Sequence, residues 1–132
     1  MRIEAIYIDR ELLEELLEGA RLTHPREVIL LLRGKKVRVQ DAIKIFLESY
    51  LVPPLPIHGR GFASYRLSML PFYPDIVGTF HSHPSGCPKP SIVDLNNFIG
   101  LFVAIAIYPY KSINDIFAYD KNANPIQFKL KT

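Results

Sequence analysis

The sequence predicts one α+β or α/β domain, a mostly β core carrying two helices. Three observations predict it. Most apolar residues fall in short runs that either alternate or are continuous, the patterns of half-buried and fully buried strands. Helical spacing begins after Asp9 and after Ser91 and dominates nowhere else. The chain has 132 residues, 48% of them apolar, which suits a single domain with a real core and excludes disorder. No internal repeat and no interdomain linker interrupts residues 1–132.

Residues 2–8 alternate and read as a strand, and Asp9 is placed to cap the helix after it. Leu12, Leu13, Leu16, Leu17 and Ala20 mark one helical face and the glutamates the other. His24-Pro25 ends that helix. Residues 27–33 form a continuous apolar run, a buried strand. Gly34-Lys35-Lys36 reads as a turn, and Val37 to Gln40 as the partner strand. Residues 42–52 fit helix or strand, and their short turn-like flanks favour strand. Residues 53–61 carry Pro53, Pro54, Pro56, Gly59 and Gly61 and predict an irregular loop, a flap beside the site. A short strand at 62–66 and a helical turn at 67–73 come next. Ile76, Val77 and Phe80 then lead a strand into His81-Ser82-His83. Pro84, Gly86, Pro88 and Pro90 break it into a stiff loop. The second helix starts at Ser91, with Ile92, Leu95 and Phe98 on its inner face and Gly100 at its end. Phe102 to Tyr108 is another buried strand. Asp115 to Tyr119 and Ile126 to Leu130 alternate and pair around a turn at residues 121–124.

Composition narrows the function classes. Cys87 is the sole cysteine, so no internal disulfide forms, which fits a reducing, cytoplasmic setting. Met1 to Ala5 carries charge and lacks an apolar signal core. The longest apolar runs fall far short of a membrane span. Residues 1–20 hold six acidic side chains against Arg2 and Arg10; the 14 basic and 7 acidic groups that remain give a net of +7. That is an ordinary solvated surface or a basic face for an acidic partner. There is no Lys/Arg run with interleaved aromatics, so nucleic acid is not favoured.

The chemistry sits at residues 77–98. Side chains on a strand repeat with period two, so His81 and His83 share a face and can share a metal ion. A short loop can fold the next helix back and bring Asp94 in as a third ligand. Two imidazoles and a carboxylate with an open fourth position suit catalytic zinc. Asp94 has a second reading, because Ser91-Ile92-Val93-Asp94 is also a capping-box pattern. Cys87 is either a loop thiol or a fourth ligand that would close the site. His24 and His58 sit at turns and are expected to face solvent.

The pattern His81-Ser82-His83, ten residues, then Asp94, with Ser91 three before it, resembles the JAMM metalloprotease family, the catalytic MPN domain. His24-Pro25-Arg26-Glu27, with the apolar run to Gly34 after it, resembles that family's upstream Glu segment, although Leu30 stands where the family has Gly. The likeness covers roughly residues 5 to 120. It implies a mixed β-sheet core flanked by helices, of the MPN and cytidine-deaminase-like kind. It implies zinc on His81, His83 and Asp94, Glu27 as general base and Ser91 as a donor to the oxyanion. It also implies the reaction: hydrolysis of the amide after the C-terminal Gly of a small ubiquitin-like or sulfur-carrier protein. The longer insertions of eukaryotic deubiquitinases are absent, which makes true ubiquitin a doubtful substrate. A non-catalytic MPN scaffold, a RadC-like DNA-repair module (from the run His83-Pro84-Ser85-Gly86) and a homodimer stay open.

Overall fold

A computed structural model describes residues 2–52, 75–96 and 99–132. The expected flap at 53–61 with His58, the strand at 62–66, the turn at 67–73 and Phe98 lie outside the described residues. Along the chain run β1 (Arg2–Ile8), α1 (Arg10–Thr23), β2 (Ile29–Val39) and β3 (Ala42–Leu51). Then come β4 (Ile76–His83), α2 (Ile92–Asn96), β5 (Phe102–Ile107), β6 (Ile116–Tyr119) and β7 (Pro125–Leu130). The strands close into a barrel in the order β1-β3-β2-β4-β5-β6-β7. β1 pairs in parallel with both β3 and β7, and β4 with β5; the other pairings are antiparallel. This is a mixed sheet with helices, the α+β class.

Asp9 caps α1, its carboxylate accepting from the Leu12 N–H at 2.8 Å. The leucine stripe of α1 is buried and meets Ile6, Ile8, Leu32, Ile45, Phe80 and Ala104 in one core. The opposite face of the sheet carries smaller clusters, Leu31 with Ile76 and Ile99, and Val103 with Ile105 and Tyr119. Period two then decides what β4 presents: Phe80 turns toward α1, and His81 and His83 turn away from it.

Three expectations need correction. No turn occurs at Gly34-Lys35-Lys36; β2 runs straight through them to Val39, and the reversal falls at Gln40, where φ is 57°. Gly34 serves a different purpose. The β2–β3 register slips between Arg33 and Gly34, and a Cβ there would press into the Phe46 carbonyl. Ile92 does not lie on the inner face of α2: it is 77% exposed, and Asp94 is buried instead. The strand expected to reach Tyr108 ends at Ile107, and Tyr108 is exposed.

Gly100 is a position only glycine fills well. Its φ is +86°, and a Cβ would meet the Val77 carbonyl group and lie 2.6 Å from the Gly78 nitrogen. Both features are backbone, so no side chain can yield. Gly100→Ala is expected to destabilise the fold by on the order of 2 kcal/mol or more. Urea unfolding checks this, and a midpoint equal to wild type would show the segment relaxes freely.

Candidate metal centre

The site is assembled where β4 ends. Every residue of β4 is buried, including the two imidazoles. The chain then turns on Gly86, whose φ is +81° and whose N–H donates to the His83 carbonyl at 3.1 Å. The Tyr119 hydroxyl on β6 donates to the Pro88 carbonyl at 2.7 Å and ties the loop down. That brings the start of α2 back beside the histidines.

Both readings of Asp94 have a geometric basis. Its N–H donates to Ser91 Oγ at 3.0 Å, and its carboxylate accepts from the Ser91 N–H at 2.8 Å, a reciprocal cap. The same carboxylate lies 3.1 Å from His83 Nε2 and 3.3 Å from His81 Nδ1. Glu27, just before β2, reaches to 4.0 Å from His83 Nε2 while remaining 56% exposed. The residues singled out in the sequence are therefore gathered from three separate stretches: Glu27, His81 with His83, and Ser91 with Asp94. Among the described residues no group of three or more His, Cys, Asp or Glu side chains is placed to hold a metal ion. Here the Asp94 carboxylate itself spans the gap between the two rings.

The proton arrangement at His83 carries the most information. Its Nδ1 lies 2.9 Å from the Cys87 carbonyl, which can only accept, so Nδ1 bears the proton. In the neutral ring Nε2 is then a lone pair, aimed at a carboxylate oxygen that is also an acceptor. Two acceptors at 3.1 Å repel unless a positive charge sits between or beside them. A proton is one solution, and the Asp94 hydrogen bond, against the cost of burial, pushes the His83 pKa up accordingly. A metal cation is the other. A ring whose far nitrogen donates to a backbone carbonyl is the usual orientation of a metal-bound histidine.

Burial opposes the charge on Asp94, but hydrogen bonds from His83 and from Ser91, with the field of His81, outweigh it and hold the carboxyl at about 2. Burial pushes His81 down to about 4, against the pull of Asp94 and with some help from His83, so it is neutral at pH 7. An anionic carboxylate and a neutral imidazole are the forms that ligate metals. In the unfolded chain Asp94 titrates near 3.8. Its charge therefore stabilises the fold above that pH, and the stabilisation is lost as pH falls toward 2. Chelator-treated protein is expected to lose roughly 2 kcal/mol across that window. Urea midpoints at stepped pH check this, and Asp94→Asn is expected to flatten the dependence.

Of its two readings Cys87 takes that of a loop thiol, and His24 departs from its expected place. The Cys87 thiol is exposed and lies 4.0 Å from the Lys89 carbonyl; only its backbone carbonyl faces the site. His24 does not face solvent. It is half-buried, stacked on Tyr108 at 4.5 Å between centroids and edge-on to Tyr110 at 5.8 Å. Sequence reasoning missed Tyr119, Tyr110 and Ser82. Only Ser82 left a signal, since a residue between two inward-facing ligands must face the opposite core.

The chain matches, over residues 9–120, the family described as prokaryotic homologs of the JAB domain. It is 31% identical over 121 residues to a probable metalloprotease of Haloferax volcanii, an alignment covering 90% of this chain and 75% of that protein. Solved structures resemble it as well, two of them over nearly the whole of both chains. One is described as a JAMM metalloprotease-like zinc site in the proteasome and signalosome, with 26% identity, TM-score 0.67, and 98% and 99% of the two chains covered. The other is a JAB1/MPN domain protein from Archaeoglobus fulgidus, with 29% identity, TM-score 0.64, and 96% and 99% covered.

Proposed function

The chain belongs to the family of prokaryotic homologs of the JAB domain, and from that premise we propose that it is a zinc metallopeptidase. Its substrate is the amide after the C-terminal Gly of a small ubiquitin-like or sulfur-carrier protein. The observation that carries the reading is His83 Nε2, oriented by the Cys87 carbonyl and facing the Asp94 carboxylate at 3.1 Å. This donor set fits zinc in chemistry: two imidazoles and a carboxylate, buried and convergent. His81, His83 and Asp94 would hold the ion. When bound, zinc supplies Lewis acidity, which acidifies water and polarises a carbonyl.

The chain's own residues do the rest. Glu27 is exposed yet within 4.0 Å of His83 Nε2, so it reaches both the site and solvent. It takes a proton from the attacking water and passes it to the departing amine nitrogen. Ser91 Oγ accepts from the Asp94 N–H, which leaves its own proton to donate to the oxygen where negative charge develops. The surplus of basic side chains after residue 20 suits an acidic modifier.

Metal analysis combined with cleavage of modifier fusions, with and without chelator, tests the reading. The expected result is about one zinc per chain and cleavage that chelation abolishes. Cleavage that survives chelation would overturn the mechanism. Zinc without cleavage of any fusion would overturn the substrate class.

A further inference from the structure

We propose that Tyr108 is a specificity-determining residue of this site, an aromatic shelf for an aliphatic group on the amine side of the scissile bond. The proposal rests on the metallopeptidase reading given above. In that reading two groups fix the direction in which the substrate lies. Ser91 donates to the oxygen that gains negative charge, and Glu27 hands a proton to the departing nitrogen. The amine half of the substrate therefore leaves on the Glu27 side.

The backbone puts Tyr108 on that side. Ser82 Oγ accepts from the Val28 N–H at 2.7 Å, and the Ser82 N–H donates to the Val28 carbonyl at 3.0 Å. Glu27 precedes Val28 and His83 follows Ser82, so the two stand level where β2 and β4 part. On the other flank of β4, His83 pairs with Ile107, and the Tyr108 N–H donates to the His83 carbonyl at 3.4 Å. Tyr108 is thus the first residue past β5, level with the end of the strand that carries the histidines. His24 joins the two flanks. It lies three residues before Glu27, and its ring stacks on Tyr108 with 4.5 Å between centroids and 26° between planes. The segment that leads to Glu27 and the segment that leaves β5 therefore meet through this ring pair.

A tyrosine at the surface is ordinary by itself. This one differs in being fixed. His24 covers one face of its ring, and Tyr110 meets it edge to face at 5.9 Å. His24 is held in turn, its Nδ1 3.4 Å from the hydroxyl of Tyr110, which is buried. Tyr108 nevertheless remains 52% exposed. A ring already held in place loses little conformational entropy when a ligand packs against its open face. The chemistry such a face suits is a run of methylene or methyl groups. Two kinds of substrate offer one beside the scissile nitrogen: a linear amide followed by an apolar residue, and an isopeptide, through the methylene stem of its lysine.

The test reads kcat/KM on two series of modifier fusions. In the linear series Leu or Gly follows the scissile bond. In the isopeptide series the amine comes from lysine or from its shorter homologue diaminopropionate. The wild-type protein is expected to prefer the longer aliphatic group by about 10-fold in at least one series. Tyr108→Ala should abolish that preference. Tyr108→Phe, which keeps the ring, should retain it, and His24→Ala should weaken it. The series that responds identifies the source of the aliphatic group. A preference that survives Tyr108→Ala overturns the proposal, as does one lost equally in Tyr108→Phe or one absent from both series in the wild type. If the wild-type protein cleaves no fusion, the functional reading fails, and the shelf is then judged by NMR of the Tyr108 and His24 ring protons. Shifts with added leucinamide that glycinamide does not produce uphold it; equal or absent shifts overturn it.

Discussion

Replacing Glu27 with Gln is expected to leave the zinc content and the fold as they are while slowing amide cleavage by about 10²–10⁴-fold. The substitution is nearly isosteric and falls on a side chain that is 56% exposed, so no core contact is lost. What changes is the ability to accept a proton. The carboxylate stands 4.0 Å from His83 Nε2, beyond hydrogen-bond reach, whereas Asp94 lies at 3.1 Å. That difference separates a group poised over the site from one built into it. Metal analysis and single-turnover cleavage on the same preparation check the prediction. Loss of zinc on this change would make Glu27 a ligand and would require a different base.

The second large effect is expected at Asp94. Asp94→Asn should lower zinc affinity at least ~100-fold, more than the loss of an outer-shell partner does, and take activity to background. The asparagine can keep the local structure, because its amide oxygen can still accept from the Ser91 N–H and its backbone can still donate to Ser91 Oγ. It cannot keep the charge. The neutral amide no longer offers two anionic oxygens to the two imidazoles that Asp94 now bridges. Zinc content measured after dialysis, with circular dichroism alongside, distinguishes the two roles. Retained zinc with a lost helical signal would reduce Asp94 to a capping residue.

Much of this arrangement is legible in the residues. The parity of His81 and His83, the leucine stripe of α1 and the closing hairpin of β6 and β7 all follow from local periodicity, which needs no partner to be read. The departures share a cause. Gly34 reads as a turn because glycine usually is one; its actual reason is the Phe46 carbonyl on another strand. Ile92 reads as buried only if α2 is longer; at five residues it has too few turns for periodicity to fix a face. His24 and Tyr110 are 86 residues apart, and no spacing rule anticipates that meeting. The Cys87 carbonyl orients His83, and a backbone group leaves no mark in the sequence at all.

β1 lies between β3 and β7, hydrogen-bonded to each in the same direction. Of the strands in this barrel, the one that comes before the others along the chain is therefore the one whose far side waits for residues 125–130. Until those residues emerge, Ala5 to Ile8 would present a bare rim able to capture a neighbouring nascent polypeptide. Shortening the chain before Pro125 should thus harm yield far more than activity per molecule, because the candidate site groups lie on β4, at the start of α2 and just before β2, away from that seam.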